Sequence, residues 1–256
     1  MEVYLFTSAL RDFLRLRRLV PWVLLGFAGM LLAIAWPYLN TRASAIDQYT
    51  SISSILVFHV LALASAIFST AIVGQEVEQR TIVYLLTRPV SRWKLVIARY
   101  LAASTVVALL GILGAVLVST GVYHLGGLSN PLLKNDVCAL VAGAFSYGAL
   151  FLLASLLINR AMIVCLLFAF GWETIVPNMP GEMYRLSVYS HLMAIADHPS
   201  SETTGGAVDA AAGVLSTNII SPATAYMTLI VMSGVLIVMS AAWFSRSEIV
   251  PREDAE

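Results

Sequence analysis

Long apolar stretches separated by short polar connections set the pattern of this chain. Residues 21–39 read "PWVLLGFAGMLLAIAWPYL", with Pro21 placed to open a helix and Trp22, Trp36 and Tyr38 near the ends as interfacial anchors. Further stretches cover about 52–74, 95–122, 137–158, 162–176 and 223–244, the fourth and fifth joined by a turn at Asn159, Arg160 and Ala161. Hydrocarbon ~30 Å thick selects helices of ~20 residues with almost no charge. One such stretch could be a buried helix of a soluble core. Six together predict an all-α membrane protein, a single transmembrane domain over 1–256 with six spans.

The first twenty residues, "MEVYLFTSALRDFLRLRRLV", have helical period. Val3, Phe6, Leu10, Phe13 and Leu14 share one face; Ser8, Arg11, Asp12, Arg15 and Arg18 share the other. Such a helix is expected to lie in the headgroup layer, apolar face down, with its arginines toward anionic lipid. A cytoplasmic partner could touch the same helix.

Composition agrees with the pattern. Hydrophobic residues make up 59% of the chain and charged residues 12%, against about 25% charged in a soluble domain. The formal net charge is zero, so bulk charge gives no reason to expect nucleic acid or an acidic partner. The positions of the bases are more informative. Placing the N-terminus in the cytoplasm puts twelve of the fifteen Lys and Arg on that side, leaving Arg42, Lys134 and Arg185 outside. Basic residues favour the cytoplasmic side, so both termini are expected inside. Cys138 and Cys165 fall within apolar stretches, as small lipid- or helix-facing residues, and form neither a disulfide framework nor a zinc spacing.

The connection at 75–94 departs from this economy of charge. It holds Glu76 and Glu78, then Arg80, Arg88, Arg92 and Lys94, with Arg99 just beyond. Between the acids and the bases, "TIVYLL" supplies a short amphipathic helix that Pro89 ends, because the residue before a proline is pushed out of the helical region. Ser91 is placed to cap the helix that enters the third span. A topology signal would explain the bases alone. A short helix that offers apolar residues and arginines to the cytoplasm suits a groove on a partner.

This run, "VGQEVEQRTIVYLLTRPVSRWKLVIARYL", resembles the corresponding segment of ABC-2-type transporter permeases, the membrane subunits of type V ABC exporters. The resemblance implies that 75–94 is a coupling helix that fits a cleft on an ATPase subunit. Glu76, Glu78 and Thr81 then match the family's acidic entry; Leu85, Leu86, Thr87 and Pro89 match its turn; Ser91, Arg92 and Lys94 match its exit. Arg80 stands where many relatives have Gly, and Tyr84 and Arg88 complete the element. The N-terminal helix, the six spans, "SYGALFLLASLLINRA" before Arg160, "GWETIVPNMPGEMYRLSVYSH" and the long loop before the last span extend the likeness.

The chain has two lysines, Lys94 and Lys134, and neither follows the glycine pattern of a phosphate-cradling loop. The motor is therefore expected on another polypeptide, and the chain is expected to be non-catalytic. With the resemblance, this implies two ATPase copies that carry ATP and Mg, no cofactor in this chain, a second permease copy or a homologous permease, and a bacterial or archaeal cytoplasmic (inner) membrane.

Elsewhere, His59 lies in the second span beside Ser53, Ser54, Ser65 and Ser69, and Glu173 lies near the outer end of the fifth. Ionisable groups inside a membrane are candidates for a pathway or gate; a hydrogen-bonded packing role for His59 and a cap or hinge for Glu173 are the alternatives. The loop 177–222 opens with an amphipathic part, 182–197, expected to form short helices at the outer interface, followed by a flexible polar centre. His191, Asp197 and His198 fit no common metal-ligand spacing, and no hydrolase motif or internal repeat is visible. Two functions remain: the permease subunit of an ATP-driven exporter, or a scaffold or mechanotransmitter acting on an extracytoplasmic partner without transport, as in enzyme maturation or gliding machinery. The substrate is not encoded in any motif.

Overall fold

The computed structural model describes residues 2–39, 44–78, 92–158, 160–179, 182–198 and 220–246. These residues form an all-helical bundle. Helix α1 (Glu2–Phe13) precedes α2 (Leu16–Leu39); α3 (Ala45–Ile52) continues through a π-helical segment (Ser53–Phe58) into α4 (His59–Glu78). Helix α5 (Arg92–Tyr123) leads through a 3₁₀ turn to α6 (Pro131–Leu157). Helix α7 (Ala161–Leu167), a second π segment (Phe168–Trp172) and α8 (Glu173–Ile175) form one course that ends in the 3₁₀ turn Val176–Asn178. Helix α9 (Val188–Ala196) and the long α10 (Pro222–Arg246) complete the described chain.

Local chemistry sets the starts of several helices. Ser44 accepts the Asp47 N–H at 3.1 Å to open α3, and Asn130 accepts the Leu132 N–H at 3.1 Å ahead of Pro131 to open α6. Ser221 accepts the Thr224 N–H at 3.3 Å ahead of Pro222. His124, in the left-handed region at φ 53°, turns the chain at the end of α5.

Five helical courses among the described residues are long and apolar enough to cross a membrane: Leu16–Tyr38, Ala45–Ile72, Trp93–Tyr123, Pro131–Leu157 and Pro222–Ser245. The fifth apolar stretch of the sequence, Ala161–Ile175, is shorter than these. Two boundaries differ from the sequence expectation. The first twenty residues are not one helix, because the chain breaks at Leu14 and Arg15 and α2 begins at Leu16. Pro21 therefore sits inside α2, not at its opening. It supplies no N–H for the Arg17 carbonyl, a loss that a helix tolerates best within its first turns. Trp22 also turns inward, its ring 6.3 Å from that of Phe68, while Tyr38 is fully exposed as an anchor would be.

Helices α5 and α6 form the centre. The other long helices pack around them, and α1 lies against α5 with Ala9 and Phe13 buried and Ser8, Arg11 and Asp12 exposed. Neighbours run antiparallel: Leu61 of α4 meets Gly111 of α5, and Arg99 donates to the Ile72 carbonyl at 3.3 Å. Between helices in lipid there is no hydrophobic drive, so close approach through small residues must supply the packing. Gly148 of α6 shows how close. A Cβ there would stand 2.6 Å from Ser104 Oγ and 3.2 Å from the Tyr100 ring, while Tyr100 donates to the Phe145 carbonyl at 2.8 Å.

Gly148→Val is expected to separate α5 from α6 and cost about 1–3 kcal/mol, read as a lower melting temperature of the detergent-solubilised protein. Gly234→Ala in α10, where nothing lies within 4 Å, should leave that temperature unchanged or slightly raised. Equal behaviour of the two variants would contradict the packing described.

Candidate functional site

Buried polar groups gather at the end of the bundle opposite α1. Asp136 lies in the second turn of α6 and is completely buried. Tyr49 of α3 donates its hydroxyl to Oδ2 at 2.5 Å, and Ser53, which opens the first π segment, donates to the same oxygen at 3.0 Å. His198 Nε2 meets the other oxygen at 2.7 Å. Tyr49 and Ser53 are four residues apart and so share a helix face. Aromatic rings close the surroundings: Tyr49 and Phe58 each stand edge-on to His198 at 6.2 Å, and Tyr49 lies 6.1 Å from Tyr123.

Glu173 forms a second centre. It follows the second π segment and is 1% exposed. Its carboxylate accepts the Ser187 hydroxyl at 2.6 Å, the Val188 N–H at 3.2 Å and the Tyr189 N–H at 3.0 Å. Helix α9 therefore has its first N–H groups satisfied by an acid from a different element, where a negative charge also complements the helix dipole. The Tyr147 phenol of α6 lies beside the same carboxylate. Ser187 itself accepts the Ser190 N–H at 3.2 Å, so cap and carboxylate act on one turn.

Tyr189 links the two residues singled out in the sequence. Its backbone N–H meets Glu173, and its ring lies 5.0 Å from that of His59. Burial raises the Tyr189 phenol above its ordinary pKa; the bond with Ser54 opposes this and the Glu173 charge adds to it. His59 Nδ1 pairs with the Ser54 carbonyl at 3.0 Å, a bond made inside its own helical course where the π segment gives way to α4. π segments inside α-helices recur at functional sites. Here one delivers Ser53 and Ser54, and the other precedes Glu173.

The other polar residues of the loop separate. His191 Nδ1 bonds the Ser187 carbonyl at 2.8 Å, Asp197 is exposed at the end of α9, and His198 belongs to Asp136. No group of three His, Cys, Asp or Glu side chains that could hold a metal ion occurs among the described residues. Asp136, Tyr49 and the link to His198 were missed in the sequence. The signal was present in "SNPLLKND": an Asn-Pro start moves the helix six residues ahead of the apolar stretch and brings Asp136 inside it.

Of the connection at 75–94, Glu76 and Glu78 lie in the last turn of α4 and Arg92 opens α5. Arg80, Thr81, Tyr84, Leu85, Leu86, Thr87, Arg88, Pro89 and Ser91 lie outside the described residues. A small apolar crevice between α2, α4 and α5, lined by Trp22, Gly26, Leu56, Val60, Val107 and Gly114, offers about 20 Å³. That is room for a water-sized group and no larger substrate.

The family model described as "ABC-2 family transporter protein" matches residues 12–176, well over half of the chain. The match includes Asp136 and Glu173 and ends before α9. No curated protein matches the chain.

Asp136→Ala would leave Tyr49, Ser53 and His198 without their shared acceptor. Each buried donor left unsatisfied costs about 1–3 kcal/mol, and Tyr49→Phe, which loses one hydrogen bond, about 1 kcal/mol. Thermal melts of the two variants in the same detergent should rank in that order.

Proposed function

The chain belongs to the ABC-2 transporter family, and on that premise we propose that it is the permease subunit of an ATP-driven exporter, coupled through residues 75–94 to a separate ATPase. The observation that carries the reading is the family match across 12–176, because it contains the whole charged connection. Proteins of this family are membrane subunits and generally non-catalytic, and several apolar helices make this chain a multi-pass membrane protein. Two ATPase subunits, carrying ATP and Mg, and a second permease copy or a homologue complete the complex in this reading. The membrane is the cytoplasmic one of a bacterium or archaeon.

The geometry supports the finer parts of the proposal. Helix α4 ends at Glu78 and α5 starts at Arg92, so the connection leaves and re-enters the bundle at one end. Antiparallel pairing puts that end beside α1 and the exposed Arg11, Arg15 and Arg17, the side expected to face the cytoplasm. A sixth crossing comes from the continuous helical course Ala161 to Asn178. Eighteen residues at 1.5 Å each reach about 27 Å, close to the hydrocarbon thickness, with Arg160 at the cytoplasmic start.

In this mechanism, ATP binding closes the two ATPase subunits and moves the coupling helices. Leu85 and Leu86 anchor the short helix in the partner's groove, while Arg88 and Arg92 meet acids at its rim. An apolar anchor at the centre of an interface carries about 2 kcal/mol or more; rim charges act on encounter and register. His59 and Glu173 are the pathway or gate candidates in this reading. Work on an extracytoplasmic partner without transport would use the same coupling element and differs only in what the outer end contacts.

Leu85→Asp is expected to abolish co-purification of the ATPase while leaving membrane insertion intact, and Arg92→Ala to weaken it less, with an effect that fades at high salt. Wild-type recovery of the ATPase with Leu85→Asp would reduce the connection to a topology signal. Single cysteines at Ser8, Arg88 and Glu253 should react only from the cytoplasm, and those at Asn130 and Ser201 only from outside. Labelling of position 88 from outside would overturn both the topology and the docking site.

A further inference from the structure

Helix α9 is held at both ends by buried acids from other helices. At its start, Glu173 takes three hydrogen bonds from Ser187, Val188 and Tyr189. Just past its end, His198 alone reaches Asp136, across 62 positions of chain, at 2.7 Å. Between the two clamps, α9 packs on α6 and α10, with Val188, Leu192, Ile195 and Ala196 buried. Leu192 enters a notch that exists because residue 143 has no side chain. A Cβ on Gly143 would stand 2.7 Å from Leu192 Cδ1 and 2.8 Å from Leu61 Cδ2.

The groups around α9 are the ones a lipid-embedded bundle can least easily carry without reason. Asp136, Tyr49, Ser53, His59, Tyr147 and Glu173 come from three different helical courses and converge on this one short helix. Asp136 and Glu173 owe a large share of their hydrogen bonds to the segment 187–198. With the segment seated, the polar groups are satisfied and the space between α4, α6 and α10 is filled.

The two clamps differ in kind. The Glu173 end has three bonds, two of them to backbone, within a stretch of 16 residues. The Asp136 end has one side-chain bond, and it follows Asp197, a non-glycine residue held in the left-handed region at φ 50°, ψ 46°. That conformation caps α9: the Asp197 N–H closes on the Met193 carbonyl at 3.1 Å, and aspartate adopts it readily. The single Asp136–His198 bond is the weaker clamp.

We propose that the segment 187–198 is a plug that hinges at Glu173 and is latched by the Asp136–His198 bond, so that unlatching lifts Leu192 out of the Gly143 notch and opens the polar interior between α4, α6 and α10 to the aqueous phase. The proposal rests on the contacts of this bundle and not on the export reading, which fails or stands by recovery of the ATPase.

The test uses the full-length chain in proteoliposomes, with Cys138→Ser and Cys165→Ala as background and Leu192→Cys as a reporter of the notch. In that background the reporter should react slowly with a membrane-impermeant maleimide. Adding His198→Ala, which leaves Asp136 bonded to Tyr49 and Ser53, should raise the rate roughly tenfold, the scale set by one hydrogen bond to a charged group. A second reporter, Ala103→Cys, sits in α5 at 1% exposure and should stay unreactive in both proteins. An unchanged Leu192→Cys rate with His198→Ala would overturn the latch. Equal gains at both reporters would also overturn it, since the bundle as a whole would then have loosened.

Discussion

The constraint on which this structure depends is the absence of water from the interior of a membrane. A carboxylate buried there has no solvent to fall back on, so the protein must supply every hydrogen bond it needs. Asp136 meets this with a tyrosine, a serine and a histidine drawn from two other regions of chain. Glu173 meets it with a serine hydroxyl and two backbone N–H groups. Each solution ties distant segments together. The positions of α3, α6, α8 and α9 relative to one another thus follow from two acids that cannot be left alone.

The rest of the bundle answers to a different physics. Where neighbours are apolar on all sides, the helices gain by close contact, and the glycines of α5 and α6 permit it. Helices α2 and α10 stay largely exposed on their flanks, with Leu24, Leu31, Met227, Ile230 and Val238 facing outward. In a bilayer this is the ordinary condition of a peripheral span. The polar centre decides where the loop before α10 sits, and the small residues decide how tightly the long helices pack.

The long apolar helices were legible because each carries its signal along its whole length, and the family match agrees with the resemblance read from the charged connection. Glu173 and His59 stood out as charged or ionisable letters in apolar text, and the structure brings them together through Tyr189. Asp136 did not stand out. It lies one residue ahead of the apolar stretch as read, beside Lys134 and Asn135, where an acid looks like loop. Only the true start of α6 at Pro131 puts it inside the helix. His198 was weighed only together with His191 and Asp197, whose spacing fits no metal-ligand motif; the left-handed turn at Asp197 sends it elsewhere. Pro21 misled for the opposite reason. A proline near a helix start is usually its first residue, but here the preceding Leu-Arg-Arg-Leu-Val already forms a turn.

The π segment at Ser53–Phe58 has a consequence for how such a chain changes over time. In a strict α-helix an extra residue would rotate everything beyond it by about 100°; a π turn absorbs the residue in a wider turn, so the helix on either side keeps its face. Tyr49 and Ser53 face Asp136, and Leu61, Ala64 and Phe68 beyond the segment are buried. A lineage that lost a single letter between 53 and 58 would close the turn into plain α-helix and retain a span of nearly the same length, hydropathy and phase. It would lose the wide turn across which His59 meets the Ser54 carbonyl. A one-residue gap in an alignment here would thus mark the loss of a π turn with the helix itself intact.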